Sequence, residues 1–148
     1  MAAIPYPEAT SSEVSARMRR NRRRDSRPEL ALRRELHRRG LRFRVDMPVR
    51  VPGRLVRPDV VFTRARLAVF VDGCFWHCCP EHGNVPQANS AYWRPKLARN
   101  VARDRAVESA LSSAGWRVLR AWEHEPTEAV AERVIGDYMS AMHDMSTA

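Results

Sequence analysis

Apolar and polar positions along the chain change period several times, and each change marks an element. Leu32 and Leu36 fall on one helical face with Leu30 beside them. Ser26 and Glu29 form a capping-box pair, Pro28 suits a first turn and Gly40 supplies a stop, so the first predicted helix runs from 26 to 40. Leu41, Phe43 and Val45 then alternate with arginines, the period-two pattern of a half-buried strand. After a Pro52-Gly53 turn, residues 58–62 read as a second strand. Residues 67–71 are apolar throughout and read as a central strand covered on both faces, a hairpin's length away. Residues 73–90 show no period, although they hold cysteines, histidines and aromatics; an irregular stretch of that length in a compact domain is functional or tied down. A long helix follows, from Ser90 or Pro95 to Ala114, stopped by Gly115. A last strand covers 116–122, and Thr127 caps a terminal helix carrying Val134, Ile135 and Tyr138.

Helix, three strands, helix, strand, helix describes a small α/β domain: a single mixed sheet of about four strands flanked by helices. At 148 residues the chain holds one core rather than two. Residues 1–16 read as a flexible tail, 17–27 as a basic arm, 28–142 as the folded domain and 143–148 as a second tail. No stretch approaches the roughly 18 apolar residues of a membrane span, and the first ten residues lack the features of a secretion signal, so a cytoplasmic location is expected.

Charge narrows the partner. The formal net charge is +9, almost all of the excess arginine, with Arg17, Arg19 and Arg20 among seven arginines between 17 and 27. Such a balance favours a polyanion, because each phosphate contact releases condensed counterions. Three cysteines within six residues, Cys74, Cys78 and Cys79, suggest a metal rather than disulfides.

Four groups of residues carry chemistry. Asp59 opens one apolar strand and Asp72 closes the next, so two carboxylates converge on one sheet end, a setting for a hard cation with oxygen ligands. In the long helix, Leu97, Asn100, Asp104, Val107, Leu111 and Ala114 share a stripe, which turns Asp104 inward and demands a partner for it; His77, in the loop leaving the central strand, is the expected one. Cys74, Cys79 and His82, with His124 beyond the last strand, form a thiolate–imidazole set suited to tetrahedral zinc that would staple the irregular loop, with Cys78 and His77 as competing ligands. Phe75 and Trp76, with Trp93 across the loop, are apolar side chains that could wedge between bases.

Together, residues 69–77 (VFVDGCFWH) and 79–83 (CPEHG) resemble the very-short-patch-repair mismatch endonucleases, as do Tyr92-Trp93, residues 100–104 and residues 115–123. Residues 28–33 and Pro58-Asp59 stand in the expected order, so the likeness spans about 17–125. The resemblance implies a restriction-endonuclease-like fold and a magnesium-dependent nick in one strand of duplex DNA, beside a G·T mismatch left by deamination of methylated cytosine. Asp59 and the backbone carbonyl of Val71 would hold magnesium, and His77, oriented by Asp104, would be the general base. Glu29 would hold water of the ion's shell. Phe75, Trp76 and Trp93 would insert beside the mismatch, with Asn100, Arg17, Arg19 and Arg20 completing the DNA-binding set; Cys74, Cys79, His82 and His124 would hold a structural zinc. It further implies a monomer acting on nucleoid DNA, alongside other mismatch-repair proteins. Well-known members carry Thr-His where Val71-Asp72 stands here, so Asp72 replaces a histidine that would assist the leaving group, or instead adds a metal ligand. They also have cysteine at the position of His124.

Overall fold

The computed structural model describes residues 26–74, 76–83 and 85–148. The basic arm with Arg17, Arg19 and Arg20, and Phe75, lie outside the described residues. Eight elements follow in order: α1 (Arg27–Arg38), β1 (Val49–Val51), β2 (Arg54–Val56), β3 (Val60–Phe62), β4 (Leu67–Asp72), α2 (Ser90–Ser113), β5 (Arg117–Trp122) and α3 (Thr127–Thr147).

The sheet is mixed. β3 pairs antiparallel with β4, and β4 pairs parallel with β5, α2 being the crossover that parallel pairing requires. β4 is the central strand, and Leu67, Ala68 and Val69 are wholly buried. Its alternate residues serve two cores. Leu67 and Val69 join Val60, Phe62, Leu119 and Ala121 beneath α1 and α3, whereas Ala68 joins Val61, Val49, Val51, Val56 and Leu111 on the opposite face. Burial on both faces explains the unbroken apolar run. The stripe expected on α2 is present, with Trp93, Leu97 and Leu111 buried.

Two expectations need correction. The sheet is not one of about four strands: it has three, and a separate two-stranded hairpin, β1–β2, stands beside it. Residues 41–45 form no strand. Arg44 does exchange both backbone bonds with Val61 at 2.8 Å, so the alternation reflects true pairing. It is confined to one bridge, and two residues later Asp46 takes a left-handed φ of 52°. Pairing resumes at Val49, where Pro52 and Gly53 close a two-residue loop; Gly53 has φ +80°, a conformation that glycine adopts without strain. The second correction is at α3, where Pro126 rather than Thr127 occupies the cap and no side chain closes it. In α1 the Ser26 hydroxyl does accept the Glu29 N–H, at 3.4 Å. Among the described residues no helix is long and apolar enough to cross a membrane.

Candidate active site and metal centre

Sheet pairing brings the start of β3 to the end of β4. The Asp59 N–H donates to the Val69 carbonyl at 3.0 Å, and the Val71 N–H donates to Asp59 Oδ2 at 2.7 Å. Asp59 is therefore fixed at the strand end, beside Asp72. From the other side α1 contributes Glu29, only 4% exposed, with its Oε2 3.3 Å from Arg33. Glu29, Asp59, Val71, Asp72, His77 and Asp104 all line one cleft of about 300 Å³. Burial, then the charge of Glu29, pushes the Asp59 carboxyl up to about 7, against the Val71 N–H that favours its anion. A carboxyl so raised by burial and by a neighbouring acid is what a bound cation would relieve.

His77 and Asp104 meet as the sequence suggests. His77 Nδ1 lies 2.5 Å from Asp104 Oδ2. A carboxylate can only accept, so this bond assigns the ring proton to Nδ1 and leaves Nε2 as the basic nitrogen. Nε2 lies 3.9 Å from Asp72 Oδ1, on the cleft side. The helix stripe delivers Asp104, and the loop delivers His77 through a turn closed by its N–H on the Gly73 carbonyl at 3.2 Å.

Asp72 has a partner that sequence reasoning missed. Arg120 Nη1 donates to both Asp72 oxygens, at 3.1 and 3.0 Å, and its Nη2 reaches the Asp104 carbonyl at 3.4 Å. The guanidinium stacks 4.3 Å above Phe70, its register partner on β4. Burial raises the Asp72 carboxyl, while the charges of His77 and Arg120 pull the other way. Hence Asp72, whose role was open between acid and metal ligand, is held by an arginine, although its oxygen still clusters with donor atoms of His77 and Asp104. Leu55, Val56 and Arg57 of the hairpin segment also line the cleft without having been anticipated. The only available signal was the Pro52-Gly53 turn between valine-rich triplets.

A few residues along, a different cluster forms. Donor atoms of Cys74, Cys79, His82 and His124 all lie within 4.8 Å of one another. His124 Nδ1 is 3.2 Å from Cys74 Sγ and 3.7 Å from Cys79 Sγ. Tetrahedral zinc with ordinary bonds to sulfur and nitrogen sets such donors about 3.6 Å apart, so the set fits. Of the competitors, Cys78 is exposed and outside the cluster, and His77 belongs to Asp104. Cys74 is pushed up to about 11 by burial and by its neighbour Cys79. Burial works most strongly on Cys79 too, but hydrogen bonds from the His82 and Glu81 backbone and from the His82 and Cys74 side chains together lower that thiol. Around the cluster, Glu123 Oε1 accepts the Cys74 N–H at 3.1 Å and Glu81 lies 3.3 Å from His124 Nε2, partners that aim the donors.

The aromatics pack against one another. Trp76 and Trp93 meet edge to face with centroids 5.8 Å apart, Tyr92 stands 5.0 Å from Trp93, and Lys96 Nζ lies over all three rings. Trp93 is buried and Trp76 half-buried. Asn100, placed in the DNA-binding set, donates to the Trp76 carbonyl at 3.2 Å and so secures the loop.

Comparison with known proteins agrees with this geometry. Residues 8–81 match the family described as DNA mismatch endonuclease Vsr. The type II nicking enzyme V.NaeI of Lentzea aerocolonigenes is 46% identical over 97% of this chain and 87% of that enzyme. The nicking enzyme V.XorIIP of Xanthomonas oryzae pv. oryzae is 43% identical over 73% of this chain and 77% of its own length. The DNA mismatch endonuclease Vsr of Escherichia coli is 37% identical over 71% of this chain and 72% of its own length. Family match, near-full-length relatives and the clustered acids and histidine lead to one assignment: the chain belongs to the Vsr family of DNA endonucleases.

Proposed function

We propose that this protein nicks one strand of duplex DNA beside a G·T mismatch, in a magnesium-dependent reaction that starts very-short-patch repair. The observation that carries the reading is the sharing of one cleft by Asp59 and the His77–Asp104 pair. Asp59 and the Val71 carbonyl would hold the ion, and the raised Asp59 carboxyl supports a cation there. Bound magnesium would polarise the scissile phosphate and offset its developing charge.

The chain's own groups account for the proton. His77 Nε2 takes it from the attacking water, while Asp104 fixes the ring and stabilises the imidazolium. Glu29, which lines the cleft, would hold a water of the ion's shell. Asp72, gripped by Arg120, fixes the cleft's charge rather than standing free as an acid. Phe75 and Trp76 would supply apolar surface for insertion, with the buried Trp93 backing Trp76 rather than entering the duplex itself; unstacking takes least energy at a mismatched pair, which favours the G·T site. The Cys74, Cys79, His82 and His124 set would hold structural zinc, keeping the loop that carries His77 in one shape. Arg17, Arg19 and Arg20 add sequence-independent affinity for nucleoid DNA in the cytoplasm. We read the enzyme as a monomer that hands its nick to other mismatch-repair proteins.

The relatives named type II nicking enzymes favour a second reading, a nick at a matched or modified site. One assay separates them. Labelled duplexes of identical sequence, matched or with G·T, are incubated with and without magnesium. Magnesium-dependent nicking confined to the G·T duplex is the expected result; equal cutting of both duplexes would transfer the assignment to the second reading.

A further inference from the structure

The β1–β2 hairpin belongs to neither metal-like cluster, yet it forms one wall of the catalytic cleft. Its inner face is firmly seated: Val49, Val51 and Val56 are each no more than 6% exposed and pack with Val61, Ala68 and Leu111. Its outer face has a different composition. Arg50 stands directly across from Leu55 in the antiparallel register, so their side chains share the solvent face; Arg57, two residues beyond Leu55, continues that row. Arg54, the register partner of Val51, belongs by alternation to the other face, but at the turn end it is exposed. Leu55 is 52% exposed, unusual for a leucine lining a cleft among carboxylates. Arg50 and Arg54 make no ion pair among the described residues. Arg57 reaches Asp46, with the carbonyl at 3.2 Å and the carboxylate at 3.6 Å.

We infer that this hairpin is a DNA-backbone clamp, in which Arg50, Arg54 and Arg57 neutralise phosphates flanking the cut and Leu55 lies against the sugar surface between them. Three considerations carry it. The cleft's floor is acidic, with Glu29, Asp59, Asp72 and Asp104, so a polyanion approaching the reacting centre needs cations on the rim. The hairpin supplies Arg57 at the rim itself, with Arg50 in the same outer row and Arg54 exposed at the turn end, on a two-stranded unit whose buried valines prevent it from yielding. Placement agrees as well: Leu55 and Arg57 themselves line the cleft, so the outer row begins beside the reacting groups. Such contacts position the duplex and read no sequence.

The inference rests on the chain's acting on DNA, but not on its preferring G·T. The test compares the full-length protein with an Arg50→Gln/Arg54→Gln variant and an Arg50→Gln/Arg54→Gln/Arg57→Gln variant. Binding of matched and mismatched duplexes of several flanking sequences is measured from 50 to 200 mM salt. The slope of log affinity against log salt is expected to shrink by about 0.9 for each phosphate left without its arginine, hence about 2 for the double variant, with affinity near 150 mM salt down roughly tenfold or more. The nicking defect should fall mainly on KM, and equally on every flanking sequence. Unchanged slope and affinity in the triple variant would overturn the clamp and leave a merely solvated face. A defect confined to one flanking sequence would also overturn it, in favour of base reading. Thermal midpoint and zinc content show whether each variant is folded, and Leu55→Asp is a second probe, expected to weaken binding by adding an anion among the arginines. Failure of the G·T reading appears separately, as equal cutting of matched and mismatched duplexes by the unaltered protein.

Discussion

The two clusters that share the loop after β4 differ in the donors they offer a cation and in how open they are. The cysteine–histidine set has soft donors, a count of four and mutual distances that close a tetrahedron, so nothing is left over for a substrate. The cleft has hard oxygen donors, a cavity of about 300 Å³ and a histidine whose free nitrogen faces into it. The first can only hold shape; the second can admit a phosphate. Proximity in sequence thus says little about role, while donor type and openness say a good deal.

The comparison can be broken most directly at the open cluster. Asp59→Ala and His77→Ala are each expected to lower the nicking rate of a G·T duplex by about 10²–10⁴-fold while duplex binding stays detectable, because they remove chemistry and not shape. Full activity in either variant would remove the proposed centre. Alteration of the closed cluster should act differently. Cys79→Ser is expected to lower zinc content well below one per chain by elemental analysis and to reduce the thermal midpoint together with activity, since ligand loss is folding loss. A fully active, zinc-free Cys79→Ser protein would show that the set holds no structural metal.

The smallest effect sharpens the electrostatic side of the comparison. Burial and the Glu29 charge raise the Asp59 carboxyl to about 7 in the folded chain, above the value near 4 of an unfolded aspartate. The folded state therefore retains a proton that the unfolded state releases. That contribution to stability is complete below about pH 4 and is lost as pH rises through 7. In metal-free protein, Asp59→Asn should gain about 2–4 kcal/mol over the parent at pH 8 and nothing near pH 4. Denaturant titrations at the two pH values measure it, and an equal difference at both would show that the carboxyl is not strained by its neighbours.

How much of this was legible in the sequence depended on how local each signal was. β4 announced itself because burial on both faces leaves an unbroken apolar run, and α2 announced Asp104 through its stripe. His77 and the zinc donors are close neighbours in one loop, so residue type nearly sufficed. The hairpin was missed because each strand is three residues long, too short for a period to show. Arg120 was missed for another reason. Between Leu119 and Ala121 it reads as a solvent-facing strand position, and only the parallel register that pairs it with Phe70 turns it toward Asp72. The overcounted strand at 41–45 shrinks to one bridge at Arg44, with the left-handed Asp46 just beyond it. Long-range register and one left-handed residue leave no trace in composition.

The turn from Gly73 to Cys79 has an implication for how this enzyme can vary. The Cys79 N–H returns to the Cys74 carbonyl at 2.9 Å, and His77 lies within the same loop. Adding or deleting one residue there would rotate imidazole and thiol out of their stations together, disabling both centres at one stroke. The stretch just before α2, where positions 87–89 are exposed, has no such double duty. Length differences among related chains should therefore accumulate in that stretch and be purged from 73–79.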